Sequence, residues 1–490
     1  MLEVIVFICG AVVMILEMVG SRILAPYLGT SIVIWTSLIG VILGCLSLGY
    51  WWGGRIADKK PDYRVLSRII LASGIFVAAI ALSKSFVLRA LQHYGGGIHL
   101  ASTAATIVLF APPSILLGMV SPYAVRLKIK NLSNSGRTVG NLYAVSTAGS
   151  IFGTFFAGFF LIAFLGSTKI ILVLSLVLAA ASLLTSSGEK WIKVAALTLF
   201  SLFLLAAEVY DAYLTSLGFH DIDTQYNRIL IYPSVDNATG RKTRVMVTGP
   251  KAQQSAMYLD DPVELALRYA KFYNLASHFK PDMKRVLMLG GGGYSLPKYA
   301  LRHYPQVEMD VVEIDPQVTM LARKFFHLQD DTRLSIFHED ARTFLNRTDK
   351  TYDVILGDTF NSDYSVPFHL STLETVRKLH ERLADDGVVV MNILASIEGD
   401  RGRFLRAEHA TFKAVFPQVY LFPVAYPTSG MSWQNVMLVA LRSKVRARLT
   451  SSNPEFDELL RHRWQGPVAD DVPPLTDDYA PVDRYILALD

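Results

Sequence analysis

The sequence predicts a polytopic α-helical membrane domain, followed by a small β-domain and an α/β, Rossmann-like doubly wound sheet. Three observations carry this prediction. Hydrophobic residues make up 51% of the 490 positions and mean hydropathy is positive, at +0.33, with the apolar excess crowded into residues 1–210. Residues 285–316, RVLMLGGGGYSLPKYALRHYPQVEMDVVEIDP, read as strand, glycine turn, helix, strand and acidic tip. Two later strand-like runs also end in acids, at Asp340 and Asp358.

The membrane domain, 1–210, holds apolar segments at 4–19, 32–52, 69–91, 102–120, 142–165, 169–186 and 191–210. Each is near the ~20 residues a helix needs to cross the hydrocarbon core, so about seven spans are expected. Segment 4–19 has an alternative as a signal peptide. It lacks a basic leader and runs on without a cleavage pattern, which makes it a retained helix. Gly149-Ser150-Ile151-Phe152-Gly153 and Ala157-Gly158 suit close helix packing in lipid, or are plain lipid-facing filler. Glu17 and Arg22 are candidates for an ion pair within the bundle or at its interface. Cys9 and Cys45 lie in apolar segments and suggest neither a disulfide nor a thiolate metal site.

Basic residues set an orientation. Arg55, Lys59, Lys60, Arg64 and Arg68 fall in one loop, Arg126, Lys128, Lys130 and Arg137 in another, and Lys190 and Lys193 in a third. The charge rule puts all three in the cytoplasm, so the first helix starts inside. Seven spans then deliver the C-terminal half to the outer side.

A polar stretch at 211–222 reads as a linker. In the β-domain, 223–260, strands are expected at 226–233, 242–248 and 253–258, with turns at Asn237-Ala238-Thr239-Gly240 and Thr248-Gly249-Pro250. The sheet domain spans 261–445 and ends in an antiparallel strand near 436–441, and a tail, 446–490, packs on it. Within it, Gly290, Gly291, Gly292 and Gly293 permit a sharp turn and let a ligand approach backbone without Cβ contacts. Glu313 follows the next strand, 21 residues beyond Gly292, where a carboxylate can accept both ribose hydroxyls. A dinucleotide is the rival reading, but Ser295 stands where its fingerprint has a third glycine. Asp340 is placed to accept from an adenine amino group, and Asp358 closes the next strand. Three acids on one rim suit an adenosine-type ligand. No HExxH or tight His/Asp cluster points to a metal. The net charge of +5 lies largely in the loops, and no basic-aromatic stripe points to nucleic acid.

The motifs GGGGY, VEIDP, EDAR, YDVILGDTF, VPFHLST and LTDDYAPV resemble those of the spermidine synthases (polyamine aminopropyltransferases), over roughly residues 222–490. The apolar half, with LEMVGSRILAPYLGTSIVIW and GNLYAVSTAGSIFGTFFAG, resembles the branch fused to a membrane domain, and GRIADKK resembles a loop motif of major-facilitator transporters. The resemblance implies a methyltransferase-type sheet and an aminopropyltransferase that moves the aminopropyl group of decarboxylated S-adenosylmethionine to an amine, releasing methylthioadenosine. Asp358 matches the general base. Glu313 and Asp340 match the ribose and adenine ligands, with Asp315 and Ala341 beside them in the same motifs. Tyr426 resembles a tyrosine of the amine channel, and Asn227, Gln253 and Gln254 fall near the usual glutamines. A homodimer through the soluble half is implied by analogy. The multi-pass protein is expected in the inner cell membrane, its partners being the lipid bilayer and a small amine. Its catalytic half is expected on the cytoplasmic side, where the cosubstrate is made, against the seven-span count. S-adenosylmethionine itself, in a methyltransferase with an unusual substrate, is an alternative, and a polyamine transporter or sensor with a regulatory nucleoside-binding domain is another.

Departures bear on the amine. The soluble enzymes carry GGGDG, whereas this chain has Gly293 and Tyr294. An acid-bearing pair ahead of the turn is absent, with Tyr269 and Lys271 nearby. Asn361 replaces a second acid, for which Asp363 can partly substitute, and Asp477 and Asp478 either fold back as replacement acids or cap the fold.

Overall fold

The computed structural model describes all residues except 93–96, 130–134, 187, 249–252, 360–365 and 488–490. The chain divides into two units, Met1–Ile229 and Leu230–Asp490.

In the first unit every expected apolar segment forms a long helix: α1 (Leu2–Leu28), α2 (Ile32–Lys59), α3 (Tyr63–Gln92), α4 (Gly97–Lys128), α5 (Ser135–Phe164), α6 (Ser167–Thr185) and α7 (Lys190–Ser216). All seven are long and apolar enough to cross a membrane. The shortest, α6, has 19 residues, about 28 Å at 1.5 Å per residue. In α1 the buried Ile5, Cys9, Val12, Leu16, Val19 and Ile23 recur every three or four positions, the stripe of a helix with one face against its neighbours. The small residues are packing devices. Gly149 and Gly153 of α5 meet the backbone of Phe7 and Ala11 in α1, and Gly49 and Gly53 of α2 meet Gly118 and Met119 of α4. A Cβ at any of these four would collide with main chain, so the helices approach as small-residue seams allow.

Ion pairs mark the helix ends. Glu3 pairs with Lys128, Asp58 with Arg126 at 3.1 Å and Glu189 with Arg68 on one face. Toward the other, Lys169 meets Glu208 at 3.0 Å, and Asp223 accepts from Ser167 N at 2.8 Å. Arg22 donates to the carbonyls of Thr224 and Gln225. The seventh helix runs through the first half of the expected linker, and a short strand, β1 (His220–Asp223), follows it. Lys130 lies outside the described residues.

Strand β2 (Arg228–Val235) carries the chain into the second unit, where β3 (Lys242–Val247) and β4 (Gln253–Tyr258) extend it as an antiparallel meander. Its three hairpin strands lie within the expected strand runs 226–233, 242–248 and 253–258, β2 running two residues beyond the first. After α8 (Arg268–Lys271) and α9 (Leu275–Phe279) the chain alternates: β5 (Arg285–Leu289), α10 (Ser295–His303), β6 (Glu308–Val312), α11 (Pro316–Phe325), β7 (Leu334–Phe337), α12 (Ala341–Arg347), β8 (Tyr352–Gly357), α13 (Leu373–Glu381), β9 (Leu383–Ala395), α14 (Arg403–Lys413), β10 (Gln418–Pro423) and β11 (Gln434–Leu441). The seven strands are ordered β10-β11-β9-β8-β5-β6-β7. Strands β9 to β7 are parallel, and β11 and β10 close the sheet antiparallel. Central strands such as β9 are apolar on both faces, Val388, Val389, Val390 and Met391 all being buried, because helices cover both sides. The chain runs outward from β5 to β6 and β7, then returns to place β8 on the other side of β5. The gap above β5 and β8 is therefore the topological switch point, where open α/β sheets bind ligands.

Candidate active site

Four consecutive strands, β8, β5, β6 and β7, end at Asp358, the glycine turn, Glu313 and Asp340. Gly290 has φ +94°, and a Cβ there would lie 2.5 Å from the Asp358 carbonyl oxygen; only glycine fits between these strand ends. Glu313 is buried and accepts from Gly291 N at 2.8 Å, Gly292 N at 3.3 Å and Asp315 N at 3.0 Å. It braces the turn, and burial raises its pKa against the lowering effect of these amides. Asp315 is also buried, and its carboxylate caps α11 through Gln317 N at 2.9 Å, a structural duty the motif alone did not reveal.

The departures from GGGDG have physical causes. Gly293 N donates to Ser255 Oγ at 2.8 Å, and a Cβ on Gly293 would fall 2.9 Å from Ser255 Cβ. Strand β4 occupies the space an aspartate would need. Tyr294 takes a left-handed φ of +53°, which costs a non-glycine residue about 1 kcal/mol. Its ring is fully buried, with the hydroxyl bonded to Thr319 Oγ1 at 2.7 Å, and that packing holds the strained backbone.

Asp358 is recessed at the end of β8. Its Oδ2 accepts from the Tyr269 hydroxyl at 3.1 Å and its Oδ1 from Asn392 Nδ2 at 3.0 Å; Asn392 in turn accepts from Asn435 Nδ2 at 3.0 Å. Burial pushes the carboxyl up to about 6, although both donors pull it down. Desolvation and the neighbouring Asp358 charge push the Tyr269 hydroxyl well above the usual range, so it stays a donor. A cleft beside Asp358 is lined by the apolar Leu267, Ala270, Met288 and Leu296, with Gln254 and the hydroxyl-bearing Ser255, Tyr269 and Ser295 as its polar groups. Among the described residues, Gln254 Oε1, which lines this cleft, is buried without a hydrogen-bond partner. Buried acceptors of this kind are normally satisfied, so the cleft suits a ligand that brings donors.

At the other end of the row, Asp340 caps α12 through Thr343 N at 3.0 Å and meets His369 Nε2 at 2.9 Å. Burial alone would raise its pKa, but His369 and the cap hold it below the usual carboxylate range. Ala341 begins α12 beside it, buried.

The structure thus brings together Gly290, Gly291, Gly292, Gly293, Glu313, Asp340, Ala341 and Asp358, with Gln254 at the cleft. Gln253 precedes it on β4 and is exposed. Asn227 belongs to the first unit, in a turn where its N–H donates to Thr224 Oγ1. Tyr426 is 60% exposed and does not line the cleft. Asn361 and Asp363 lie outside the described residues. Lys271 is exposed. Asp477 is engaged with Arg342 at 2.6 Å and fastens the tail. Sequence reasoning missed Ser255, Asn392 and His369. Asn392 left a signal, a lone amide within the apolar run VVVMNILA, and His369 lies in the quoted motif VPFHLST, whereas Ser255 left none. Among the described residues no group of three or more His, Cys, Asp or Glu side chains is placed to hold a metal.

A mostly parallel sheet with an antiparallel end, a glycine turn and acids at successive strand ends make this a Rossmann-like α/β domain of methyltransferase-like fold. Residues 270–447 match the model of the spermine/spermidine synthase domain. A polyamine aminopropyltransferase of Vibrio vulnificus is 34% identical over 30% of this chain and 48% of its own length. Polyamine aminopropyltransferase 2 of Aquifex aeolicus is 24% identical over 79% of this chain and 78% of its own, a match long enough to reach into the helical half. An N-terminal histidine N-methyltransferase of Emericella nidulans is 31% identical over 37% of this chain and 32% of its own. The chain thus spans about half the length of the Vibrio relative and about a third of the Emericella one.

Proposed function

We propose that the protein is a membrane-bound aminopropyltransferase that moves the aminopropyl group of decarboxylated S-adenosylmethionine to a small amine. The observation that carries the reading is Asp358: a single recessed carboxylate, held at about 6 between two neutral donors, next to a glycine turn and an apolar cleft. An amine nitrogen attacks the carbon beside the sulfonium sulfur, the new C–N bond forms as the C–S bond breaks, and methylthioadenosine departs with the electron pair. The nitrogen must shed a proton, and Asp358 is the acceptor, with Tyr269 and Asn392 fixing its plane. Glu313 and Asp340 supply the acceptors for the ribose hydroxyls and the adenine amino group, and Gln254 Oε1 supplies one for the amine.

Incubating detergent-solubilised protein with decarboxylated S-adenosylmethionine and common diamines should release methylthioadenosine, detected by mass spectrometry. S-adenosylhomocysteine from S-adenosylmethionine instead would establish the methyltransferase reading, which similarity to a histidine N-methyltransferase supports. Asp358→Asn should abolish turnover while leaving methylthioadenosine binding intact. Amine transport that survives this substitution would point to a transporter with a regulatory domain.

The side of the membrane is part of the proposal. Lys193 Nζ reaches the Ser186 carbonyl at 2.8 Å at one end of α7, and Glu208 reaches Lys169 at the other. These two anchors support an α7 that crosses antiparallel to α6, and not one lying along the interface. The chain then leaves the helical unit on the face opposite the basic loops. We adopt this placement over the cytoplasmic one that the origin of the cosubstrate suggests; by the charge rule it faces outward.

A further inference from the structure

Asp340 does not stand alone at its strand end. Its Oδ2 lies 2.9 Å from His369 Nε2. An ionised carboxylate only accepts, so Nε2 carries the hydrogen. With Oδ1 bound to Thr343 N at 3.0 Å, both oxygens are fixed and the plane of the carboxylate is set. A carboxylate has about four lone-pair sites, so acceptor capacity remains for a ligand in that plane.

What fixes His369 lies far away in sequence. It sits on the short turn Phe368–Leu370, and its own carbonyl accepts from Arg342 Nη1 at 3.0 Å and from Thr375 Oγ1. Arg342 forms a two-pronged pair with Asp477, at 2.7 and 2.6 Å. Asp477 also accepts from Thr372 Oγ1 at 2.7 Å, and its N–H donates to Glu374 at 3.0 Å. Leu373 N donates to the Leu475 carbonyl at 2.8 Å. The C-terminal tail is thereby tied, through Arg342, to the turn that carries the imidazole.

We propose that His369 is a positioning residue for the base-recognition acid Asp340, and that Asp477 holds His369 in place through Arg342, making the tail a determinant of nucleobase selectivity. This deepens the reading of the site as adenosyl-binding and rests on it. An adenine presents an exocyclic N–H donor to Asp340, whereas a 6-oxopurine presents a carbonyl oxygen that a fixed carboxylate repels. Selectivity between the two bases is the property His369 should control.

The test compares dissociation constants of 5′-methylthioadenosine and 5′-methylthioinosine for the full-length protein by calorimetry. Wild type should prefer the adenine form. His369→Ala should lower that preference by about tenfold, the scale of one charge-assisted hydrogen bond, chiefly by weakening the adenine ligand. Asp477→Ala should move it the same way by less, and His369→Gln, which keeps a side-chain N–H, should restore part of it. An unchanged preference in both alanine variants overturns the proposal. So does a parallel loss of both ligands with a lowered melting temperature, since that marks a structural role only. Wild type that binds neither nucleoside overturns the adenosyl reading, and this inference with it.

Discussion

Replacing Tyr269 by Phe perturbs the proposed base without touching its backbone. The carboxyl of Asp358 titrates at about 6 because burial raises it, while the bonds from Asn392 and Tyr269 lower it. Removing the hydroxyl deletes one lowering contribution, so the pKa must rise. A hydrogen bond to a charged group is worth about 1.5–3 kcal/mol, and about 1.36 kcal/mol corresponds to one pKa unit. The bond is 3.1 Å long and Asn392 remains, which argues for the low end, a rise of about one unit. A general base works deprotonated, so rate is lost as pH falls through its pKa. The acid limb of kcat/KM should therefore move from about 6 to about 7. At pH 6.5 the variant should be about threefold slower from titration alone, and near pH 9 almost unchanged. The assay is methylthioadenosine release across pH ~5.5–9, with melting temperatures as a control. A limb that stays in place, or moves toward acid, refutes the assignment of Tyr269 as a donor to the working base.

Glu408 is fully buried beside Ser371, and burial pushes it up to about 8 against the lowering effect of that hydroxyl. The folded state then keeps a proton that the unfolded chain releases near the ordinary glutamate value of 4.5, so this group makes stability fall by about 1.4 kcal/mol per pH unit as pH rises between those values. Glu408→Gln should remove that slope, and its melting-temperature advantage over wild type should grow from pH ~6 to pH ~9; a constant difference would show that Glu408 is not a neutral acid in the fold. Gly293→Asp should destabilise by about 1–3 kcal/mol through overpacking against Ser255, read as a lower denaturation midpoint, and Ser255→Gly should relieve much of it. After Cys9 and Cys45 are replaced, a cysteine at Ser452 should react with a membrane-impermeant maleimide added to intact cells; reaction only after lysis would show that one apolar helix does not cross.

How much of this was visible in the sequence depended on whether a residue's partner was local. The glycine turn, the acids at strand ends and the seven apolar helices are consequences of composition and short-range spacing, and each appears where spacing put it. Asp340 was legible as an acid at a strand end and Asp315 as part of the motif VEIDP, yet their capping of α11 and α12 shows that one residue can satisfy two physical demands. The linker was misjudged because a helix that begins in an apolar run can continue through polar residues, as α7 does to Ser216. What stayed hidden depends on pairs distant in the chain: Gly293 with Ser255, 38 residues apart, Asp340 with His369, 29 apart, and Arg342 with Asp477, 135 apart. These pairs change the meaning of the departures from the family pattern. Glycine at 293 reads in sequence as a lost acid, whereas in the fold it leaves room for Ser255 of β4 beside the turn. Asp477 reads as a spare acid, but with Arg342 and Thr372 as its partners it is already engaged. Among the described residues, Asp358 is then the one carboxylate facing the apolar cleft.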